Sequence, residues 1–314
     1  MTENKLIAAI VNVWFLLSLA HSTSAQGRSP RLAGGIPVQI GDFPYLIASV
    51  HPEIRCTASL INPSWALGAA HCYIVDSERV NPKDVALIAG IADFNQTRLP
   101  SSQIRRAKSI NIHPNFEEVK ISGADLSLVG VNTPFELNEY VDVIQVSGSP
   151  FLLNEDVQCT ASGWGDTSTT KTNSHLHKLD VVAVQSKGVC HGLTTKERKN
   201  MLCLKSDDGK GLCDGDSGGP LICENELVGV AHQVYIERYK YRGPSDMDCG
   251  SKNIVHTYMF TCPYLNWIRA HVRNVPPKPE KCFKLSDSAA RTEFNQSRHL
   301  KVDSEFEDQQ DPSI

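Results

Sequence analysis

From residue 32 to about residue 272 the sequence is built of short β-branched or apolar runs, each cut off by Gly, Pro, Asn or Asp. Residues 43–50, 85–91, 181–184 and 227–231 are examples. Runs this short do not make ordinary helices. They suit strands that cross a core and turn back through backbone angles open to glycine, asparagine and aspartate. The prediction is an all-β domain. One stretch departs from it: over residues 263–272, Leu265, Ile268 and Val272 share one helical face while Arg269 and Arg273 point outward. A terminal helix is therefore expected to close the domain.

Pro276, Pro277 and Pro279 follow, and their fixed φ and missing donors end regular structure. The domain is set at residues 32–274, and residues 275–314 read as a Pro-initiated, acidic, disordered tail. That tail carries Asp303, Glu305, Glu307, Asp308 and Asp311 near its end with no base among them. A binding tail is the alternative. At the other end, Lys5 precedes an apolar run over residues 6–20, and Ser22, Thr23, Ser24 and Ala25 follow. This is the order of a signal peptide, residues 1–25, cut after Ala25. The run includes Asn12 and falls short of the roughly twenty apolar residues of a spanning helix. A secreted, extracellular protein with no membrane contact is expected.

Export changes how the 10 cysteines read, because disulfides persist outside the cell. No C-x-x-C pair and no H-E-x-x-H occurs, so a zinc site has little support, and no metal or cofactor is expected. The sequons at Asn95 and Asn295 agree with secretion. A net charge of -4 lacks the basic excess that nucleic acid requires, and 314 residues with 41% hydrophobic content allow a substantial core.

The chemistry concentrates in Gly215-Asp216-Ser217-Gly218-Gly219-Pro220. A serine hydroxyl is a poor nucleophile unless a base takes its proton and backbone N–H groups hold the oxyanion that forms on the attacked carbonyl. Glycines give a backbone that can approach substrate closely. This segment resembles the nucleophile loop of chymotrypsin/trypsin-like serine peptidases, and four more segments match in the family's order. Trp65-Ala66-Leu67-Gly68-Ala69-Ala70-His71-Cys72 is similar to the histidine segment and Asp125-Leu126-Ser127-Leu128 to the aspartate segment. Gly163-Trp164-Gly165 is similar to the central marker, and Arg31-Leu32-Ala33-Gly34-Gly35 to the activation site.

The resemblance implies two six-stranded antiparallel β-barrels with the active site between them and a C-terminal helix. It implies His71 as base and then acid, Asp125 as its orienting carboxylate and Ser217 as nucleophile, with the N–H groups of Gly215 and Ser217 as the oxyanion hole. Cleavage after Arg31 would remove residues 26–31 as a short propeptide and free the amine of Leu32 to pair with Asp216, so the chain would be a zymogen. It further implies the disulfides Cys56–Cys72, Cys159–Cys223, Cys190–Cys203 and Cys213–Cys249. Cys262 stands where some members use a cysteine whose usual partner is missing near Phe151, and Cys282 is its remaining candidate.

The substrate pocket departs from the pattern. Gly211 stands where trypsin-like members carry aspartate, so selection for Lys or Arg is not expected. The usual Ser-Trp-Gly strand reads His232-Gln233-Val234, and a pocket-wall glycine aligns with His256. Three pockets remain open: a shallow one, one in which cationic His256 reads Asp or Glu, and a closed one. Losing the serine to His232 also removes a neighbour of the triad aspartate. Residues 234–249 form an extended polar loop, and Asp76, Glu78 and Asp84 leave calcium open. Two function classes follow. One is a serine endopeptidase, monomeric, whose partners are a polypeptide substrate, an activating trypsin-like protease and a protein inhibitor. The other is a non-catalytic homologue acting as a secreted binding or regulatory protein.

Overall fold

The computed structural model describes residues 31–118, 123–165, 175–205, 209–236 and 254–285. The signal segment, Asn295, Cys249 and most of the 234–249 loop lie outside these residues. Six strands make the first barrel: β1 (Leu46–Val50), β2 (Arg55–Asn62), β3 (Trp65–Gly68), β4 (Ala86–Ala89), β5 (Gln103–Ile112) and β6 (Ser127–Val131). They close in the order β1-β2-β3-β6-β5-β4. Ala58, Ala66, Ala89 and Ala107 are buried in the core cluster, and small inward side chains let a ring this narrow fill without strain. The expected strand at 43–50 starts three residues late because residues 43–46 form a turn containing Pro44, in which Leu46 N–H donates to Phe43 O at 3.1 Å.

The second barrel comprises β7 (Val157–Gly163), β8 (His177–Val184), β9 (Met201–Leu204), β10 (Pro220–Cys223), β11 (Glu226–Ile236) and β12 (Ile254–Phe260). The order β8-β7-β10-β11-β12-β9 returns to β8 through the pairs Ala183↔Leu204 and Val184↔Cys203. Between Ala231↔Tyr258 and Gln233↔Thr257 the register of β11 shifts, leaving His232 as an extra residue. Such bulges bend a strand and re-aim the extra side chain.

The terminal helix α1 is Leu265–His271, shorter than expected. Pro263 falls in a preceding 3₁₀ turn, Cys262–Tyr264, and Val272 is already extended with φ -123° and ψ 121°. Leu265 and Ile268 are buried and Arg269 is exposed, so the face is the one expected. The tail boundary moves. Residues 275–285 run along the body: Phe283 and Lys284 pair in parallel with Phe151 and Leu152, and Cys282 is disulfide-bonded to Cys262. The Phe283 ring lies 5.0 Å from that of Phe260. Prolines stop a helix but leave an extended segment free to pair, and Phe283 gives this one apolar surface to bury. Residues 286–314 lie outside the described residues.

Candidate active site

His71 and Asp125 both come from the first barrel, His71 in the 3₁₀ turn His71–Tyr73 after β3 and Asp125 just before β6. The two are bonded twice: His71 N–H donates to Asp125 Oδ1 at 2.8 Å, and Nδ1 to Oδ2 at 2.6 Å. A third bond comes from the second barrel. His232, the bulge residue of β11, places Nδ1 2.7 Å from the same Oδ2. The sequence placed His232 in the pocket wall and counted a neighbour of Asp125 as lost. The bulge instead turns the ring onto the carboxylate, and a donor is kept.

Asp125 is buried, with 1% of its side chain exposed. Burial by itself would raise its pKa. The charge of His71, the hydrogen bonds from His232 and His71 and the charge of His232 outweigh that and hold the carboxyl well below the usual range. An ionised carboxylate only accepts, so Nδ1 carries the proton on both rings. The lone pair of His71 is thereby left on Nε2, the atom a general base needs.

Ser217 lies in the loop before β10, and its backbone is tied to the first barrel by Thr57 N–H, which donates to Ser217 O at 3.0 Å. Among the described residues the Ser217 hydroxyl has no hydrogen-bond partner. Catalytic hydrogen bonds commonly close only around substrate. Next to it, Asp216 is buried, accepting Gly165 N–H on Oδ1 and Cys213 N–H on Oδ2, each at 2.9 Å.

The trypsin family profile matches residues 32–268. Cationic trypsin-3 of Rattus norvegicus is 30% identical over 246 residues, which cover 77% of this chain and 90% of that protein. Trypsin of Sus scrofa is 28% identical over 243 residues, 76% of this chain and 94% of that protein. Trypsin-3 of Salmo salar is 29% identical over 255 residues, 80% and 97% of the two chains. The chain belongs to the trypsin family. It is a serine endopeptidase, a hydrolase of peptide bonds, and the hydrolase prevails over the non-catalytic alternative.

Within this trypsin-family chain, Gly211 and His256, two of the residues expected to line the substrate pocket, lie face to face. Gly211 has φ +153°, and a Cβ there would collide with Nε2, Cε1 and Cδ2 of His256. Backbone angle and ring both demand glycine. His256 Nδ1 accepts Leu212 N–H at 3.1 Å, and burial lowers its pKa to about 4, so the ring is neutral at neutral pH. Val234 is the strand partner of His256, and Gln233 follows the bulge; both are half-buried.

Residues 32 and 33 pack against the same loop. Leu32 is buried in the core, and Ala33 O accepts Gly211 N–H at 3.0 Å. Disulfides join Cys56–Cys72, Cys159–Cys223, Cys190–Cys203 and Cys262–Cys282, and Cys213 is also disulfide-bonded. Asn95 is exposed in a turn capped by Asp93. Among the described residues, Asp76, Glu78 and Asp84 form no ligand cluster. No described helix is long and apolar enough to cross a membrane.

Sequence reasoning missed Thr57. Its hydroxyl donates to Gly215 O at 3.1 Å across 158 positions of sequence and accepts Trp164 N–H at 3.4 Å. A threonine in a strand is ordinary by propensity, so only its partners could mark it.

Proposed function

We propose that this endopeptidase is exported, is activated by a trypsin-like cut after Arg31, and cleaves polypeptides after small residues because its primary pocket is closed by His256. The observation that carries the chemistry is the pair of hydrogen bonds from His71 to buried Asp125, one from the ring and one from the backbone. Ser217 Oγ attacks the scissile carbonyl carbon while His71 Nε2 takes its proton. The oxyanion is held by the N–H groups of Gly215 and Ser217. Collapse breaks the C–N bond, and His71 returns the proton to the leaving amine. Water, its proton taken by His71, then attacks the acyl carbon, the C–Oγ ester bond breaks, and His71 returns that proton to Ser217 Oγ. Asp125 stays ionised throughout and stabilises the imidazolium.

Burial of Leu32 and the Ala33–Gly211 bond support activation at this site, since they hold the new terminus close to the Asp216 loop. A protein inhibitor would engage the same cleft. The neutral ring of His256, with Nδ1 already bonded to Leu212 N–H, supports the closed pocket over one that reads Asp or Glu. A fluorophosphonate probe tests the chemistry: it should label only chain cut after Arg31, and Ser217→Ala should abolish labelling. Absence of labelling in folded, cut protein would return the chain to the binding-protein reading. Profiling the cut form on a peptide library tests the pocket, and a preference for Arg, Lys, Asp or Glu would refute its closure.

A further inference from the structure

Thr57 follows Cys56 on β2, in the barrel that carries His71, yet its polar groups serve the other barrel. Its N–H donates to Ser217 O and its hydroxyl to Gly215 O, at 3.0 and 3.1 Å. These are the two residues whose own N–H groups were assigned above to the oxyanion hole. One residue therefore grips both carbonyls of the donor pair. Two glycines of the second barrel border its side chain. A Cβ on Gly163 would come 3.2 Å from Thr57 Oγ1, and one on Gly219 would come 3.4 Å from Thr57 Cγ2. Thr57 itself is 1% exposed.

Gly215 needs such a restraint. It closes a turn in which Asp216 N–H donates to Cys213 O at 3.1 Å, and its φ of +93° lies where glycine moves freely. The turn fixes the Asp216 end of the following peptide but ties nothing to the first barrel. The Thr57 hydroxyl supplies that tie, and it also accepts Trp164 N–H from the loop beside Asp216.

We infer that Thr57 is a positioning residue for the oxyanion hole, its hydroxyl registering the Gly215 donor of the second barrel against the His71-bearing first barrel. The inference rests on the assignment of Gly215 and Ser217 under Proposed function. Donors aimed at a developing charge are effective only when they are held in place before it forms. Loss of the hydroxyl should therefore weaken binding of the tetrahedral state more than binding of the substrate.

The test compares wild type, Thr57→Val and Thr57→Ser, each cut after Arg31, with an alanine-terminated tripeptide anilide as substrate and the matching aldehyde as inhibitor. Thr57→Val keeps the shape and removes the hydroxyl. One hydrogen bond sets the expected effect: kcat about tenfold lower, aldehyde affinity about tenfold weaker and KM within about twofold. Thr57→Ser, which restores the donor, should stay within about threefold of wild type. If Thr57→Val does not fold, Thr57→Ala leaves the backbone bond to Ser217 and should show the same split. Wild-type kcat and aldehyde affinity in the hydroxyl-free variant would overturn the inference alone. So would parallel losses in KM and kcat that Thr57→Ser does not recover. A cut wild type that neither turns over the anilide nor binds the aldehyde would overturn the oxyanion assignment, and this inference with it.

Discussion

His232 and His256 stand on neighbouring strands, β11 and β12, both nearly sealed from solvent, and the same ring atom does opposite work in each. Nδ1 of His232 donates to Asp125, whereas Nδ1 of His256 accepts from Leu212 N–H. The partner decides the tautomer, and the tautomer decides the task. Facing a carboxylate, the imidazole becomes one more donor to a buried charge. Facing a backbone amide and a bare glycine, it becomes a neutral plug.

The comparison breaks first at Gly211. Gly211→Asp would drive a side chain into the His256 ring at a backbone angle unsuited to it, costing about 4 kcal/mol or more in urea unfolding. Adding His256→Gly should recover part of that loss through coupling of about 1–3 kcal/mol. If Gly211→Asp unfolds like wild type, the pocket is not filled as described.

Acid is the next largest lever. His256 has a pKa near 4 in the folded chain, against the ordinary value of 6.5. The unfolded chain therefore binds the proton first as pH falls. Stability should be fully present above about pH 6.5 and decline toward pH 4, by on the order of 3 kcal/mol from this residue. Unfolding free energies across that window should flatten in His256→Gln, and an unchanged slope would show that the ring is not held neutral.

At His232 the effect is kinetic. Removing a donor to a buried charge costs about 1.5–3 kcal/mol, so His232→Ala should lower kcat about ten- to a hundredfold on an alanine-terminated anilide. His232→Ser should recover most of it. Equal rates in all three proteins would make His232 a bystander. The smallest effect belongs to His256→Gly, which should raise kcat/KM for leucine- over alanine-terminated substrates about tenfold by reopening the pocket. A ratio that does not move would place the constraint elsewhere.

The family and the pairing of His71 with Asp125 were legible because the letters that carry them sit in short contiguous segments, around His71, Asp125 and Ser217, each with glycine or cysteine neighbours. The strand pattern read well for the same local reason, and the helix face was right although its ends were not. The readings that moved depend on register. Counting along β11 put His232 in the pocket, but one extra residue in a strand changes the face on which a side chain lands. The tail prolines hid a segment that could still pair as an extended strand, and Thr57 carried no local mark at all.

By itself, then, the sequence determined an all-β chain of the serine peptidase family, with a histidine, an aspartate and a serine in the family's order and a set of cysteines fit for export. Those properties are carried by residue type and nearest neighbours. Only the tertiary structure decided that His232 serves Asp125, that His256 fills the space over Gly211 and that Thr57 spans the barrels. Each is a contact between distant segments, separated by 107, 45 (256 − 211) and 158 positions, and its existence depends on strand register and barrel closure instead of on any single stretch of chain.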